Sequence, residues 1–281
     1  MLTSTLSVAC WSLSFYPQPI TNYARRSLTG LSLDFPTINL LGFLFYLLST
    51  SLFLLSPLIR EQYAVRHPHS PISTVRYNDL FFAIHAVLLS SLYLSQFFVG
   101  SYTRERAQRH LSRPILGIGL GCVTSVVGLV LWVLAATPTA GLDARGWAWI
   151  DVVYGMGYAK LVITLVKYTP QFWLNYRRKS TVGWSIYGIL LDLVGGVLSL
   201  VQLTIDAGLQ EGGVRGVVAN PMKLGLSLVS IAFDAAFCLQ HYVLYPGGEA
   251  DQHRGLRGKD DEDEERERRR PLLSVEREAR V

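Results

Sequence analysis

Charge is what this sequence has least of. Four stretches, Met1–Ala24, Phe35–Ile59, Leu80–Thr103 and Pro114–Leu142, contain no Lys, Arg, Asp or Glu. Each approaches or exceeds the ~20 residues that a helix needs to cross a bilayer. Only 17% of the 281 residues are charged and half are hydrophobic, against roughly 25% charged in an ordinary soluble domain, which argues against a water-soluble globule. Cysteine is also scarce. Cys10, Cys122 and Cys238 all fall inside apolar segments, so neither a disulfide framework nor a zinc site is expected, and the three are read as small packing residues. No Asn-x-Ser/Thr acceptor occurs, since Asn22, Asn39, Asn78, Asn175 and Asn220 all fail the pattern. No basic residues precede the first apolar stretch, which runs into Tyr16-Pro17-Gln18. A first helix is therefore expected there rather than a cleaved signal peptide.

What is present is organised as an all-α membrane protein. Expected spans cover residues 3–24, 35–58, 78–101, 114–137, 148–170, 184–206 and 221–245, with lipid as the surrounding partner. The last three contain Lys160, Lys167, Asp192 and Asp234 but keep strongly apolar flanks such as Leu161–Val166. Basic residues fall in short clusters between spans and in the tail, which reads as orientation rather than nucleic-acid binding. One side collects Arg25, Arg26, Arg104, Arg106, Arg109, Arg113, Arg177, Arg178, Lys179 and the tail. The other holds Arg60, Arg66, Arg76, Arg145, Arg215 and Lys223. The first side is expected to be cytosolic, placing the N-terminus in a lumen and the C-terminus in the cytosol. Residues 247–281 mix an acidic run with Arg268–Arg270 and show no apolar periodicity, so a disordered tail is expected. Within it, Pro271-Leu272-Leu273 after Glu267 approaches an acidic dileucine signal, with one residue too many in the spacing.

An internal repeat organises the spans. Pro17-Gln18 recurs as Pro170-Gln171, and the same offset of 153 (17 to 170) carries Asn22 to Asn175, Tyr23 to Tyr176, Ser27 to Ser180, Gly30 to Gly183, Ser32 to Ser185 and Gly42 to Gly195. A fourth span between the copies restores the direction of the chain and makes them parallel. The expected domains are residues 1–101 (first three-helix repeat), 102–147 (linker with the fourth helix), 148–246 (second repeat) and 247–281 (tail). Pro17 and Pro170 are expected late in their helices, where they break the backbone ladder and serve as hinges. Gln18 and Gln171 are expected to satisfy the freed carbonyls.

Ionisable groups inside spans are costly and mark function by default. Lys160 and Lys167 are seven residues apart, about two turns, and share one helix face. Two ammonium groups on one stripe suit carboxylates. Asp192 shares its side of the sixth span with Gly188, Gly195, Gly196 and Ser199, small residues that permit close approach. The repeat makes Asn39 the counterpart of Asp192, an amide opposite a carboxylate. Lys223, Ser227, Ser230, Asp234 and His241 recur at helical spacing on the last span, and Asp79 precedes His85 by about two turns on the third. The opposing readings are that Lys223 and Asp79 snorkel to water, that Lys160 is merely ion-paired to Asp192, and that the histidines are packing residues. A carboxylate withdrawn from water binds its proton more tightly, which suits loading in an acidic lumen and release to a neutral cytosol. Two lysines and one or more aspartates match an amino acid with two carboxylates and two ammonium groups, although these residues equally admit other zwitterions.

The stretches Trp11-Ser12-Leu13-Ser14-Phe15-Tyr16-Pro17-Gln18, Asn78-Asp79-Leu80-Phe81-Phe82, Lys167-Tyr168-Thr169-Pro170-Gln171 and Lys179-Ser180-Thr181-Val182-Gly183-Trp184-Ser185-Ile186 resemble the cystinosin family. So do Lys160-Leu161, Leu190-Leu191-Asp192 with Gly195-Gly196, Pro221-Met222-Lys223, and Phe233-Asp234 ahead of Gln240-His241. The resemblance covers residues 11–245. It implies a PQ-loop, SWEET-like fold of seven transmembrane helices, two parallel three-helix bundles joined by a linker helix. It also implies export of L-cystine with protons from a lysosome or vacuole, with no cofactor, metal or enzymatic activity. Residue by residue, proton coupling is carried over to Asp192, with Asp79 and Asp234 supporting. Cystine contacts are carried over to Asn39, Lys160, Lys167, Asp192 and Lys223, and Trp11 and Phe15 would line the first-repeat side. The sequence departs from animal members in lacking their glycosylated lumenal extension and tyrosine-based C-terminal sorting signal, and Gly188 is often polar in the family. The alternatives are an exporter of cationic amino acids of the PQ-loop class, disfavoured by two lysines that would repel a second cation, and a seven-helix receptor that retrieves peptides.

Overall fold

The computed structural model describes residues 2–68, 71, 73, 75–100, 102, 110–136, 140–209 and 221–246. Among these, the regular elements are helices and no β-strand occurs. In chain order they are α1 (Leu2–Ser14), α2 (Pro17–Arg25), α3 (Asp34–Leu55), α4 (Pro57–Arg66), α5 (Tyr77–Ser95), α6 (Arg113–Ala136), α7 (Trp149–Val166), α8 (Thr169–Arg178), α9 (Ile186–Leu209) and α10 (Pro221–Leu239), the last continued by a π-helical turn, Gln240–Leu244. Among the described residues, five segments are long and apolar enough to cross a membrane by length and composition: Asp34–Leu55, Tyr77–Ser95, Arg113–Ala135, Trp149–Arg178 and Ser227–Leu244. A shorter apolar helix, Ile186–Val201, adds to them. The tail and its dileucine lie outside the described residues.

The prolines correct one expectation. Pro17 and Pro170 do not kink continuous helices near their ends; each occupies the first turn of a new helix, α2 or α8. There the missing N–H has no intrahelical acceptor to lose and the fixed φ is already helical. Both short helices then end on a left-handed basic residue, Arg26 (φ 48°) and Lys179 (φ 52°), again 153 apart (26 to 179).

Packing follows the repeat. α1 rests on α9 as α7 rests on α3, α3 pairs with α5 as α9 pairs with α10, and α1–α5 matches α7–α10. α6 lies against α7 and α3. Small residues let α9 be approached from two sides. A Cβ on Gly195 would sit 2.6 Å from Trp11 Cδ1 of α1, and one on Gly196 would sit 3.2 Å from Ile231 Cγ1 of α10. The third helix of each half uses a second register. α5 and α10 are each 19 residues long, and an offset of 144 (77 to 221) superposes them and carries Gln96 to Gln240.

Beyond the membrane-length helices, α4 ties α3 to the start of α7. Gln62 donates to Gly141 O (2.8 Å) and accepts from Ile150 N–H (2.9 Å). Arg66 pairs bidentately with Asp151, through Nη1 to Oδ1 and Nη2 to Oδ2 (2.7 Å), and also donates to Ala144 O and Gly146 O. The Asp151 carboxylate holds the Arg66 guanidinium above its usual range.

Candidate functional site

A cavity of about 490 Å³ runs between the two halves, within the size range of small-molecule sites. At one end it reaches the exposed Asn78 and the partly buried Asp79 at the start of α5. At the other it stops on an aromatic floor. Phe35 is 5.7 Å from Tyr168 and 5.5 Å from Trp184 between ring centroids, and 6.3 Å from Tyr93. Beneath the floor Trp184 stacks on Phe237 at 5.4 Å.

Below that floor the glutamines of the Pro-Gln motifs correct a second expectation. Their side chains do not serve the carbonyls freed by their own prolines but reach across to the opposite half. Gln18 donates through Nε2 to Gly183 O (2.9 Å) and accepts at Oε1 from Ser185 N–H (2.7 Å). Gln171 donates to Gly30 O (3.1 Å) and accepts from Ser32 N–H (2.9 Å), the same bonds under the 153 offset. Each glutamine also holds an asparagine one turn on, Asn22 (2.8 Å) or Asn175 (2.9 Å). Those asparagines donate to Gln96 and Gln240, which in turn donate to Pro19 O and Phe172 O. Gly30 (φ 90°) and Gly183 (φ 100°) make the reciprocal fit possible: both are left-handed, and a Cβ on either would run into the other half's loop carbonyl.

Of the residues singled out in the sequence, Trp11, Phe15, Gln18, Asn39, Asp79, Lys160, Lys167 and Asp192 line the cavity, together with Gly188, Ser199, Ser227 and Ser230 of the small and polar stripes. Among the described residues neither lysine is ion-paired. Lys160 Nζ instead sits 4.0 Å from the centroid of Phe43, and Lys167 Nζ 4.4 Å from that of Tyr168. A cation over an aromatic face is steadied by about 0.5–2 kcal/mol and keeps its N–H donors free for a ligand. Asp192 accepts a hydrogen bond from the Tyr168 hydroxyl. Asp234 is wholly buried beside the cavity, with Oδ2 3.5 Å from Ser230 Oγ and Oδ1 lacking a hydrogen-bond partner. The charges of Lys160, Lys167, Asp192 and Asp234 are close enough to act on one another.

Other predicted residues are placed differently. Asp79 accepts from Arg76 N–H (2.7 Å) as a cap on α5, while also facing the cavity mouth. His85 bonds Tyr16 Oη (2.9 Å), and His241 is buried against Thr181 Oγ1 (2.8 Å), away from the cavity. Lys223 stands in the first turn of α10, at the position that Asp79 holds in α5; its side chain lies outside the described residues. Ser230 was legible in the polar stripe of the last span, whereas no role was expected for Tyr168, Gln96 and Gln240. The offset of 144 between α5 and α10 was the signal that could have found the last pair.

The two registers expose a chemical asymmetry. Counterparts of Lys160, Lys167, Asp192 and Asp234 in the first half are Ser7, Ser14, Asn39 and Ser90. Apart from Asp79 at the mouth, the charged side chains lining the cavity belong to the second half: Lys160 on α7, Lys167 at its C-cap and Asp192 on α9. The first half answers with hydroxyls, an amide and rings, as in Asn39 Nδ2 donating to Ser90 Oγ at 3.3 Å.

A PQ loop repeat pattern matches residues 2–59 and 152–211. The chain is 39% identical over 237 residues to a protein named Cystinosin homolog in Dictyostelium discoideum, covering 84% of this chain and 78% of that one. It is 39% identical over 237 residues to Cystinosin of Drosophila melanogaster, covering 84% of this chain and 55% of that longer protein. Identity falls to 26% over 242 residues with a Saccharomyces cerevisiae protein named Cystine transporter, covering 84% of this chain and 90% of that one.

Proposed function

The chain belongs to the cystinosin family, and from that premise we propose that it exports L-cystine, together with protons, from an acidic lysosomal or vacuolar lumen to the cytosol by alternating access. One observation carries the reading: two unpaired lysines and the Asp192 carboxylate meet in a single closed-ended cavity between the halves. Cystine has two carboxylates for Lys160 and Lys167 and two ammonium groups for Asp192 and for the amide oxygen of Asn39, which is buried without a partner. Trp11 and Phe15 flank its chain from the first half. Lys223 completes the set from the first turn of α10.

The membrane arrangement is seven spans: α1 with α2, α3, α5, α6, α7 with α8, α9, and α10 with its π-helical turn. Two parallel three-helix bundles, residues 1–101 and 148–246, are joined by residues 102–147 with α6 as linker. The repetition of helix contacts under the two registers supports this pairing. The closed end carries Arg25, Arg26, Arg113, Arg177, Arg178 and Lys179, so by the positive-inside rule it faces the cytosol. On this reading the mouth at Asn78 and Asp79 faces the lumen, and the conformer corresponds to the lumen-open step of the proposed cycle. Cystine and a proton enter, the proton neutralises Asp192 with Asp79 and Asp234 supporting, and the halves rock about the breaks before Pro17 and Pro170. The glutamine clamp parts and both are released.

A cationic amino acid exporter would need Lys160 and Lys167 moved away from the ligand. The test is labelled cystine flux into proteoliposomes under an imposed pH gradient, with lysine and arginine as competitors. Cystine flux indifferent to both is expected. Lysine or arginine flux with none of cystine would overturn the substrate and leave the fold standing.

A further inference from the structure

Superposing the halves by their two registers shows more than a difference in charge. Asp192 accepts from the Tyr168 hydroxyl. Ser230 lines the same cavity wall close enough to act on the Tyr168 hydroxyl, and Ser230 Oγ is 3.5 Å from Asp234 Oδ2. These four side chains form one path from the cavity wall to a carboxyl with no solvent exposure. In the first half the same four positions are Asn39, Phe15, Ala86 and Ser90. The amide keeps the shape of Asp192 and the phenyl ring keeps the shape of Tyr168, while both path hydroxyls and both carboxyls are gone. A packing requirement would be met equally by either set, because both halves build the same helix contacts. The second half therefore carries proton-exchanging atoms at four positions where its twin folds with neither carboxyl nor the two bridging hydroxyls.

We propose that Tyr168 and Ser230 relay the coupling proton between Asp192, which faces the substrate, and Asp234, which holds it out of contact with water. The inference rests on the proton-coupled reading above. The transfer is balanced: protonated Asp192 gives its proton to Tyr168 Oη, the Tyr168 hydroxyl hydrogen passes to Ser230 Oγ, and the Ser230 hydrogen passes to Asp234. Asp192 ends ionised, Asp234 ends neutral, and each hydroxyl gains one proton and loses one. The partnerless Asp234 Oδ1 leaves the carboxyl free to keep that proton on either oxygen. Storage on Asp234 returns a charged Asp192 to the cavity while the proton stays inside the protein, so cystine and proton need not leave by one route. Lys160 and Lys167 face this path from α7, and Cys238 lies next to Asp234 on α10. From α3 the facing groups are Phe35, stacked on Tyr168, and Asn39, neither of which titrates; Tyr93 of α5 stands behind Phe35.

Tyr168→Phe and Ser230→Ala install the first half's residues and test the relay. In proteoliposomes, pH-driven net cystine uptake is compared with cystine–cystine exchange, which requires no net proton movement. The ratio of the two is expected to fall about a hundredfold or more in each variant, the scale of losing one proton-transfer group. An unchanged ratio in both, or net uptake and exchange falling in parallel, would overturn the relay and leave Tyr168 as packing. Wild-type protein that exchanges cystine but ignores the pH gradient would instead overturn the proton-coupled reading itself.

Discussion

Replacing Gln171 by Ala removes an acceptor from Ser32 N–H (2.9 Å) and donors from Gly30 O (3.1 Å) and Asn175 Oδ1 (2.9 Å). Gln171 is fully buried, as are Asn175 and Ser32, so water does not simply take its place. A buried polar group left without a partner costs about 1–3 kcal/mol. Asn175, on the same helix, loses its partner in either conformer, so the two partners in the other half set the bias, about 3 kcal/mol against the clamped conformer with partial relaxation. The bonds to Ser32 and Gly30 join the two halves, and in the proposed alternating-access cycle they exist only while this end of the cavity is closed. Their loss therefore moves the equilibrium between conformers, by about a hundredfold at 1.4 kcal/mol per tenfold. Ser185, buried on the cavity floor, is a reporter position. With Cys10, Cys122 and Cys238 replaced and Ser185→Cys introduced, alkylation from the cytosolic side is expected to speed up about a hundredfold when Gln171→Ala is added. Gln171→Leu, which restores volume without hydrogen bonds, is expected to behave alike. An unchanged alkylation rate together with a lower melting temperature would refute the argument, because the clamp would then hold the fold and not the gate.

Gly195→Ala would press a methyl onto the Trp11 ring at 2.6 Å; an overpacking cost of about 1–3 kcal/mol against a helix gain of about 1 kcal/mol leaves modest destabilisation. Because Trp11 lines the cavity, cystine affinity should fall more than thermal stability, which paired binding and melting curves would read. Gly183→Ala combines φ 100° with a clash on Thr29 O, and is expected to abolish monodisperse protein in detergent chromatography. Arg66→Met severs α4 from Asp151 and two loop carbonyls. With the Arg66 side chain 25% exposed, a loss of about 1–2 kcal/mol is expected in thermal unfolding.

Hydropathy made the long spans legible, since each lipid-facing helix must be apolar whatever it packs against. The 153 offset was legible because no insertion interrupts it from Pro17 to Gly42. It was lost in the third helix, where the halves differ by nine residues of connecting chain, so the kinship of Gln96 with Gln240 and of Asp79 with Lys223 stayed hidden. Pro17 and Pro170 were ambiguous because the ring that kinks a helix also starts one. The glutamine clamp was illegible for a different reason: its partners are backbone atoms of a distant loop, which no spacing rule reaches. Lys160 shows the same limit, since a ring, Phe43, and not a carboxylate receives it. Tyr168 passed as part of a motif, and only the hydroxyl on Asp192 distinguishes it from its twin Phe15.

Cystine carries no net charge near neutral pH, so its movement with one proton transfers one positive charge across the membrane. The most direct measurement is the current that follows a cystine concentration jump on membranes carrying the protein, at acidic and neutral pH, for wild type and Asp192→Asn. The account predicts a cystine-dependent current that grows as the lumenal side is acidified and is absent in Asp192→Asn. Cystine flux without current in the wild type, or an undiminished current in Asp192→Asn, would contradict it.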